Sequence, residues 1–251
     1  MLRSFGCKAK RRADQGRSRR RAPQTGSHLL ASSLAGANSS CRAILFSCLT
    51  RVETMNQALQ LLLERTSSPR LQQPAPSAEQ LELLFRAALC APDHGQIRPW
   101  RFLVVEGQGL VELGELYASA LLQNNPAAST EQLRRAQAMP LRAPMIIVLI
   151  ACLQEHPKVP EFEQIIAAGC AGHGILLAAQ AMGLGAFWRS GEFCNNAVVA
   201  NGLGLQENEK LIGFMYLGTP SQPAKPASRP APAAFVGHWP PPGLEPTRPQ
   251  A

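Results

Sequence analysis

A chain of 251 residues with 45% apolar content can bury a sizeable core in one globular domain, and its 20 Gly and 21 Pro follow no period, which excludes a fibrous protein. The net charge of +8 invites a nucleic-acid partner. However, residues 1–54 carry eleven of the 25 Lys and Arg against only Asp14 and Glu53, leaving fourteen basic and fifteen acidic residues for the rest. The basicity belongs to the tail, and no nucleic acid is expected on the folded domain.

None of the seven cysteines stands in a CxxC pair or in a Cys/His cluster of zinc spacing, so no metal site is expected and a reducing, cytoplasmic setting fits. No apolar run reaches the roughly 18–20 residues of a membrane helix. The longest, Met145–Leu153, has the length of a strand.

Residues 1–54 read as a basic, disordered tail. Lys8-Ala9-Lys10-Arg11-Arg12 and Arg17-Ser18-Arg19-Arg20-Arg21 repel themselves, and a Ser/Ala/Gly stretch follows. The tail fits three descriptions: an Arg- and Ser-rich transit peptide, a nucleic-acid-binding arm, or upstream sequence ahead of a true start at Met55. The third is favoured, because a helical pattern begins directly after Met55. The folded domain is expected over residues 55–238, with 239–251 as a proline-rich, disordered C terminus.

Leu59, Leu62 and Leu63 mark a short first helix that ends before Ser67-Ser68-Pro69, since a residue preceding proline disfavours helical geometry. Ser77 has the form of an N-cap with Gln80 completing a capping box. The helix it opens carries Leu81, Leu84, Phe85, Ala88 and Leu89 and closes by Pro92. Arg101–Val105 reads as a strand, and helices are expected over Leu110–Leu122 and Thr130–Ala138. Met145–Cys152 is an unbroken apolar run and therefore a strand buried on both faces. Glu161–Met182 has helical character but is rich in Gly and Ala. Each Gly costs an isolated helix up to about 1 kcal/mol, so close approach must offset it: tight core packing, a subunit interface, or a flat cofactor. Ala186–Arg189 is a short strand, Asn196–Leu203 a helix, and Leu211–Leu217 the last strand. Beyond Pro220 the chain is expected to be extended. No GxGxxG or GxxxxGK[ST] turn occurs, so a Rossmann or P-loop site is unsupported.

Four constellations could carry chemistry. Arg65-Thr66-Ser67 offers a guanidinium fork and hydroxyls suited to a phosphate, although a solvated helix end is the blander explanation. The loop Ala91-Pro92-Asp93-His94-Gly95-Gln96-Ile97-Arg98-Pro99-Trp100 concentrates polar side chains just before a strand. Gly183-Leu184-Gly185-Ala186-Phe187-Trp188-Arg189-Ser190-Gly191 lets backbone approach a ligand closely and ends on donors. Gly213–Pro220 reads as a core strand and its exit turn.

In order and spacing these segments resemble the nitroreductase family, and within it a small single-domain branch. Ala-Pro-Asp-His followed by Pro-Trp-Arg-Phe, Arg142-Ala143-Pro144, His156-Pro157-Lys158-Val159-Pro160, Ala168-Gly169-Cys170-Ala171, Trp188-Arg189-Ser190-Gly191 and Gly213–Pro220 carry the likeness from about Met55 to Phe235. The resemblance implies an α+β fold, with a central mixed sheet flanked by helices, and an intertwined homodimer with two FMN sites. It assigns Arg65, Thr66 and Ser67 to the FMN phosphate and ribityl chain, and Cys90 and His94 to the flavin of the partner subunit. Trp188, Arg189 and Ser190 fall along the isoalloxazine, and Ala178, Ala179, Gln180, Ala181, Met182 and Gly183 fall to NAD(P)H. Two positions depart from the branch, which has Arg where this chain has Thr66 and Cys90. The implied activity is hydride transfer from NAD(P)H through the flavin to a nitroaromatic, quinone or similar small acceptor. No side chain need act as nucleophile, in keeping with the lack of a Ser/His/Asp constellation. A flavin-binding protein of another activity, such as dehalogenation or flavin storage, and nucleic-acid binding by the basic tail are the alternatives.

Overall fold

The structure, a computed structural model, describes residues 57–223 and 228–239; the expectations for 1–54 and for 240–251 lie outside the described residues. Residues 57–64 form helix α1. There follow β1 (Leu71–Gln72), α2 (Ala78–Ala88), β2 (Trp100–Glu106), α3 (Gln108–Asn124), α4 (Thr130–Gln137), β3 (Met145–Cys152), α5 (Glu161–Ala181), β4 (Gly185–Arg189), α6 (Ala197–Gly202) and β5 (Glu209–Pro220).

Local chemistry fixes most boundaries. At α2 the Ser77 Oγ accepts from the Gln80 N–H at 3.2 Å, while the Gln80 side chain accepts from the Ser77 N–H at 2.9 Å. Ser129 and Gln132 repeat this capping box at α4. Asn196 Oδ1 caps α6 through the N–H groups of Val198 and Val199. Helix α5 ends in a Schellman turn. Gly183 takes φ +72°, its N–H donates to the Gln180 carbonyl at 3.0 Å, and the Leu184 N–H donates to the Ala179 carbonyl at 2.8 Å.

β3 lies at the sheet centre, paired to β2 on one side and β5 on the other. Beyond β5 lies β4, and β1 pairs with the last two residues of β5. Ile146, Val148 and Ile150 face a cluster with residues of α3, α4 and α6, whereas Met145, Ile147 and Leu149 face α2 and α5. The chain thus packs helices on both faces of one sheet, which is why β3 reads as a continuous apolar run.

Every described pairing is antiparallel, which corrects the expectation of a mixed sheet within the α+β fold. The alternation of strands and helices is nevertheless informative. The α5 crossover leaves β3 and β4 parallel to each other, but β5 fills the slot between them and runs against both.

The small residues of α5 serve close packing. A Cβ on Gly174 would sit 2.8 Å from the Ala87 carbonyl of α2, and one on Gly172 would sit 2.7 Å from the Trp188 ring. The opposite side of α5 is open: Phe162 and Ile166 are 62% and 59% exposed, and a Cβ on Gly169 would meet nothing. By length and composition α5 could cross a membrane, yet Ala168, Ala171, Ile175 and Ala179 pack into the core and mark it as a core helix with one uncovered apolar face.

Candidate cofactor site

Residues 65–68 leave α1 and cross the C-terminal end of α5. The Thr66 N–H donates to Gln180 Oε1 at 3.0 Å, and Gln180 Nε2 reaches the Leu61 carbonyl at 3.5 Å. The side chain of Gln180 is therefore a spacer that seats this loop. Arg65 Nη1 contacts Ser67 Oγ at 3.5 Å, and Arg229 Nη2 donates to the Arg65 carbonyl at 2.5 Å. The Arg229 guanidinium thus lies against the Arg65 backbone, and the Arg65 guanidinium beside the Ser67 hydroxyl. Neither arginine makes an ion pair among the described residues. Such an uncompensated pair of forked donors suits a phosphate dianion.

The segment Ala178–Gly183 abuts the same cluster. Ala179 is fully buried and offers no surface, and Gln180 is engaged with residues 61 and 66; Ala181 and Gly183 are exposed, with Ala178 and Met182 between these extremes.

The Ser68 N–H donates to the Ala186 carbonyl at 2.9 Å, which joins the Arg65 cluster to the start of β4. From there Trp188, Arg189 and Ser190 continue along the strand at about 3.3 Å per residue. β4 hydrogen-bonds to β5 on one edge; on the other, Ser68 meets only its first residues. The two side chains at its end point to opposite faces. The Trp188 indole N–H donates to the Ile212 carbonyl at 3.2 Å, and the ring lies against Gly213 and Gly172 on the α5 side. Its side chain belongs to the core, which leaves backbone for a ligand.

Arg189 points to the α3 side. Its guanidinium sits 4.2 Å from the centre of the Phe187 ring and 5.2 Å from that of Tyr216, a cation–π arrangement. Its Nε is buried without a hydrogen-bond partner. A cavity of about 520 Å³ opens here, lined among others by Tyr117, Arg142, Arg189, Ser190, Glu192 and Tyr216. Burial raises the Tyr216 phenol above its ordinary range, while the charges of Arg189 and Arg142 pull it down.

Cys90 and His94 lie elsewhere. His94 Nδ1 is 2.8 Å from Glu163 Oε2 near the N-terminus of α5, and the Cys90 thiol donates to the Arg86 carbonyl at 3.3 Å. Gln96 and Arg98 take φ of +53° and +49°, a strained loop held in part by the Arg98 N–H on Asp93 Oδ2 at 2.7 Å. Glu163 and Gln180 are separated along α5 by about 25 Å at 1.5 Å per residue. The structure thus brings Arg65, Thr66, Ser67, the α5 C-terminus and β4 together, and keeps His94 at the far end of the same helix.

From sequence Arg229 stands only as the alternative to Arg65 for the phosphate, and Glu163 is not singled out. Arg229 sits in a proline-rich stretch without periodicity, and its neighbour is 164 residues away; Glu163 looks like an ordinary first-turn acid.

The sequence pattern that defines the nitroreductase family matches residues 62–219. The chain belongs to the nitroreductase family. It is 41% identical over 185 residues to the protein of Escherichia coli (strain K12) named "Putative NAD(P)H nitroreductase YdjA", covering 72% of this chain and 99% of that one. A "Putative NAD(P)H nitroreductase" of Haemophilus influenzae is 39% identical over 169 residues, covering 67% and 91%. Among solved structures, a nitroreductase-like family protein from Bacillus cereus superposes with a TM-score of 0.63 at 21% identity, covering 72% of this chain and 95% of that one. A nitroreductase from Desulfovibrio desulfuricans, crystallised in complex with FMN, superposes with a TM-score of 0.56 at 25% identity, covering 72% and 96%.

Proposed function

We propose that this nitroreductase is a cytoplasmic, homodimeric FMN-dependent oxidoreductase that oxidises NAD(P)H and reduces a small acceptor such as a nitroaromatic or a quinone. The observation that carries this is the pairing of Arg65 with Arg229 at the head of a strand edge that ends at Arg189. The residues fit the cofactor. Two arginines without carboxylate partners and the Ser67 hydroxyl match a phosphate, and the open edge of β4 supplies backbone donors for a heteroaromatic ring. The Desulfovibrio desulfuricans relative was crystallised in complex with FMN, and curated relatives are named for NAD(P)H.

Bound FMN would take up and release the hydride. The protein's part is positioning and electrostatics. Arg65, Arg229 and Ser67 hold the phosphate, so that the ring is fixed along β4 from one end. Arg189 contributes positive potential beside the ring where negative charge develops on reduction. The exposed surface at Ala181 and Gly183 borders the route by which NAD(P)H approaches. Donor and acceptor then use the same open face in turn.

The separation of about 25 Å along α5 supports assembly of each site from two chains. A twofold, antiparallel contact through the open face of Phe162, Ile166 and Gly169 sets the N-terminal end of one α5 beside the C-terminal end of the other. The partner's His94 and the partner's Cys90 then approach the cofactor bound at Arg65.

The test is direct. Purified protein should be yellow, and its released flavin should be FMN rather than FAD. Protein that is colourless and takes up no added FMN would end the proposal.

A further inference from the structure

We propose that the cavity on the α3 side of β4 is an anion subsite, through which this enzyme favours acceptors bearing a carboxylate on a planar ring. The proposal rests on the flavin lying along β4 and narrows that reading to a substrate class. The cavity, about 520 Å³, is bounded by the end of β4, the middle of β5 and the short turns Pro140–Arg142 and Glu192–Asn195. Its wall is aromatic. Tyr117 stacks on Phe193 with ring centres 4.1 Å apart, and Phe214 meets Tyr117 edge-on at 5.4 Å.

Into this apolar bowl project two cations. Arg189 is pinned by Phe187 and Tyr216, yet its Nε–H has no acceptor although it is buried. A buried guanidinium donor without a partner is unfavourable, and a ligand oxygen would satisfy it. Arg142 stands exposed on the same cavity and makes no ion pair among the described residues. Both arginines bear on the Tyr216 phenol, so their fields overlap inside the cavity.

The chemistry of the lining selects a monoanion. A guanidinium fork matches a carboxylate in plane, and the aromatic wall suits a flat ring behind it. Glu192 is the one acid lining the cavity, and it weighs against a phosphate dianion. A neutral acceptor of the same shape leaves the donors unpaired and should bind less well.

The experiment uses the FMN-loaded protein, with benzoate as a binding probe and 4-nitrobenzoate against 4-nitrobenzamide as acceptors. Calorimetry should show benzoate binding to the holoenzyme. Arg142→Ala should weaken it about tenfold or more, the size of one charge-assisted contact. The kcat/KM preference for nitrobenzoate over nitrobenzamide should fall by the same factor. Nitrobenzamide turnover and FMN affinity should hold, and Arg142→Lys should recover part of the preference. Three results would overturn the proposal: no benzoate binding to holoenzyme, displacement of benzoate by FMN titrated into flavin-free protein, or an unchanged preference in Arg142→Ala. If neither acceptor is reduced, it is the oxidoreductase reading that fails, and benzoate calorimetry alone decides the cavity.

Discussion

The distance between the two halves of the site can be tested by subunit mixing. In the proposed site, Arg65→Ala would remove a phosphate contact at one end of α5 and His94→Ala a ring contact at the other, about 25 Å away. If both acted within one chain, a mixture of the two variants would stay defective. If the halves come from different chains, a mixed dimer holds one doubly damaged site and one intact site. Random reassortment makes about half of the dimers mixed, so about a quarter of all sites should regain wild-type behaviour. The two variants would be unfolded together in urea, refolded, and titrated with FMN by fluorescence quenching at concentrations that fill only wild-type sites. A tight-binding fraction near one quarter, with NAD(P)H oxidation in proportion, is the expected result. Recovery of none would place both residues in one chain or remove His94 from the site. The same geometry predicts that Ile166→Glu, which sets a charge on the open face of α5, breaks the dimer in light scattering and releases flavin with it.

Three further predictions concern single positions. Arg65→Ala alone should weaken FMN by about one to two decades, from roughly 1.5–3 kcal/mol for a charge-assisted contact; the lower end is expected because Arg229 bonds to the backbone of residue 65 and survives the change. An unaltered FMN affinity would send the phosphate grip elsewhere. Gly213→Ala should lower stability by about 1–3 kcal/mol, since its Cβ would lie 1.9 Å from Trp188 Nε1 and force the indole off its carbonyl; a urea midpoint equal to wild type would refute that packing. The third is pH dependence. Arg101, bonded to Glu209 at 2.6 and 2.7 Å, holds the Glu209 carboxyl down to about 2. A depressed carboxylate gives its stability above the ordinary carboxylate pKa and loses it as pH falls towards 2. The full shift from 4.5 corresponds to about 3 kcal/mol, and solvent around the one-third-exposed Arg101 reduces this to about 1–2. The stability gap between wild type and Glu209→Gln should therefore close between pH 4.5 and 2; a gap constant over that window would refute the coupling.

What the sequence made legible divides by range. Ser77 with Gln80, Asn196 ahead of its helix, and the apolar run of β3 announce themselves because the groups that satisfy them lie within a few residues. β1 was missed because its two residues are a strand only through Thr219 and Pro220, nearly 150 positions on. Strand direction failed for the same reason, since nothing local in β5 records that it inserts between β3 and β4. In the proposed site, the Arg65–Ser67 motif stands out locally, whereas nothing local ties Arg229, 164 residues on, to it. Trp188 gives the sharper case. The family likeness assigns it to the flavin as one of three consecutive residues, yet consecutive residues of a strand face opposite sides. The glycines at 172 and 213 are the hollows its ring occupies, so the indole could be assigned to the core only once α5 and β5 were known to flank β4. Arg189, on the other face and short of one acceptor, is thus the side chain of that trio whose chemistry the core leaves unspent. Cys90 and His94 could be joined to it from sequence only through family likeness. A single folded chain holds His94 at the opposite end of α5, so a site that joins it to Arg65, as proposed, would need the helix twice.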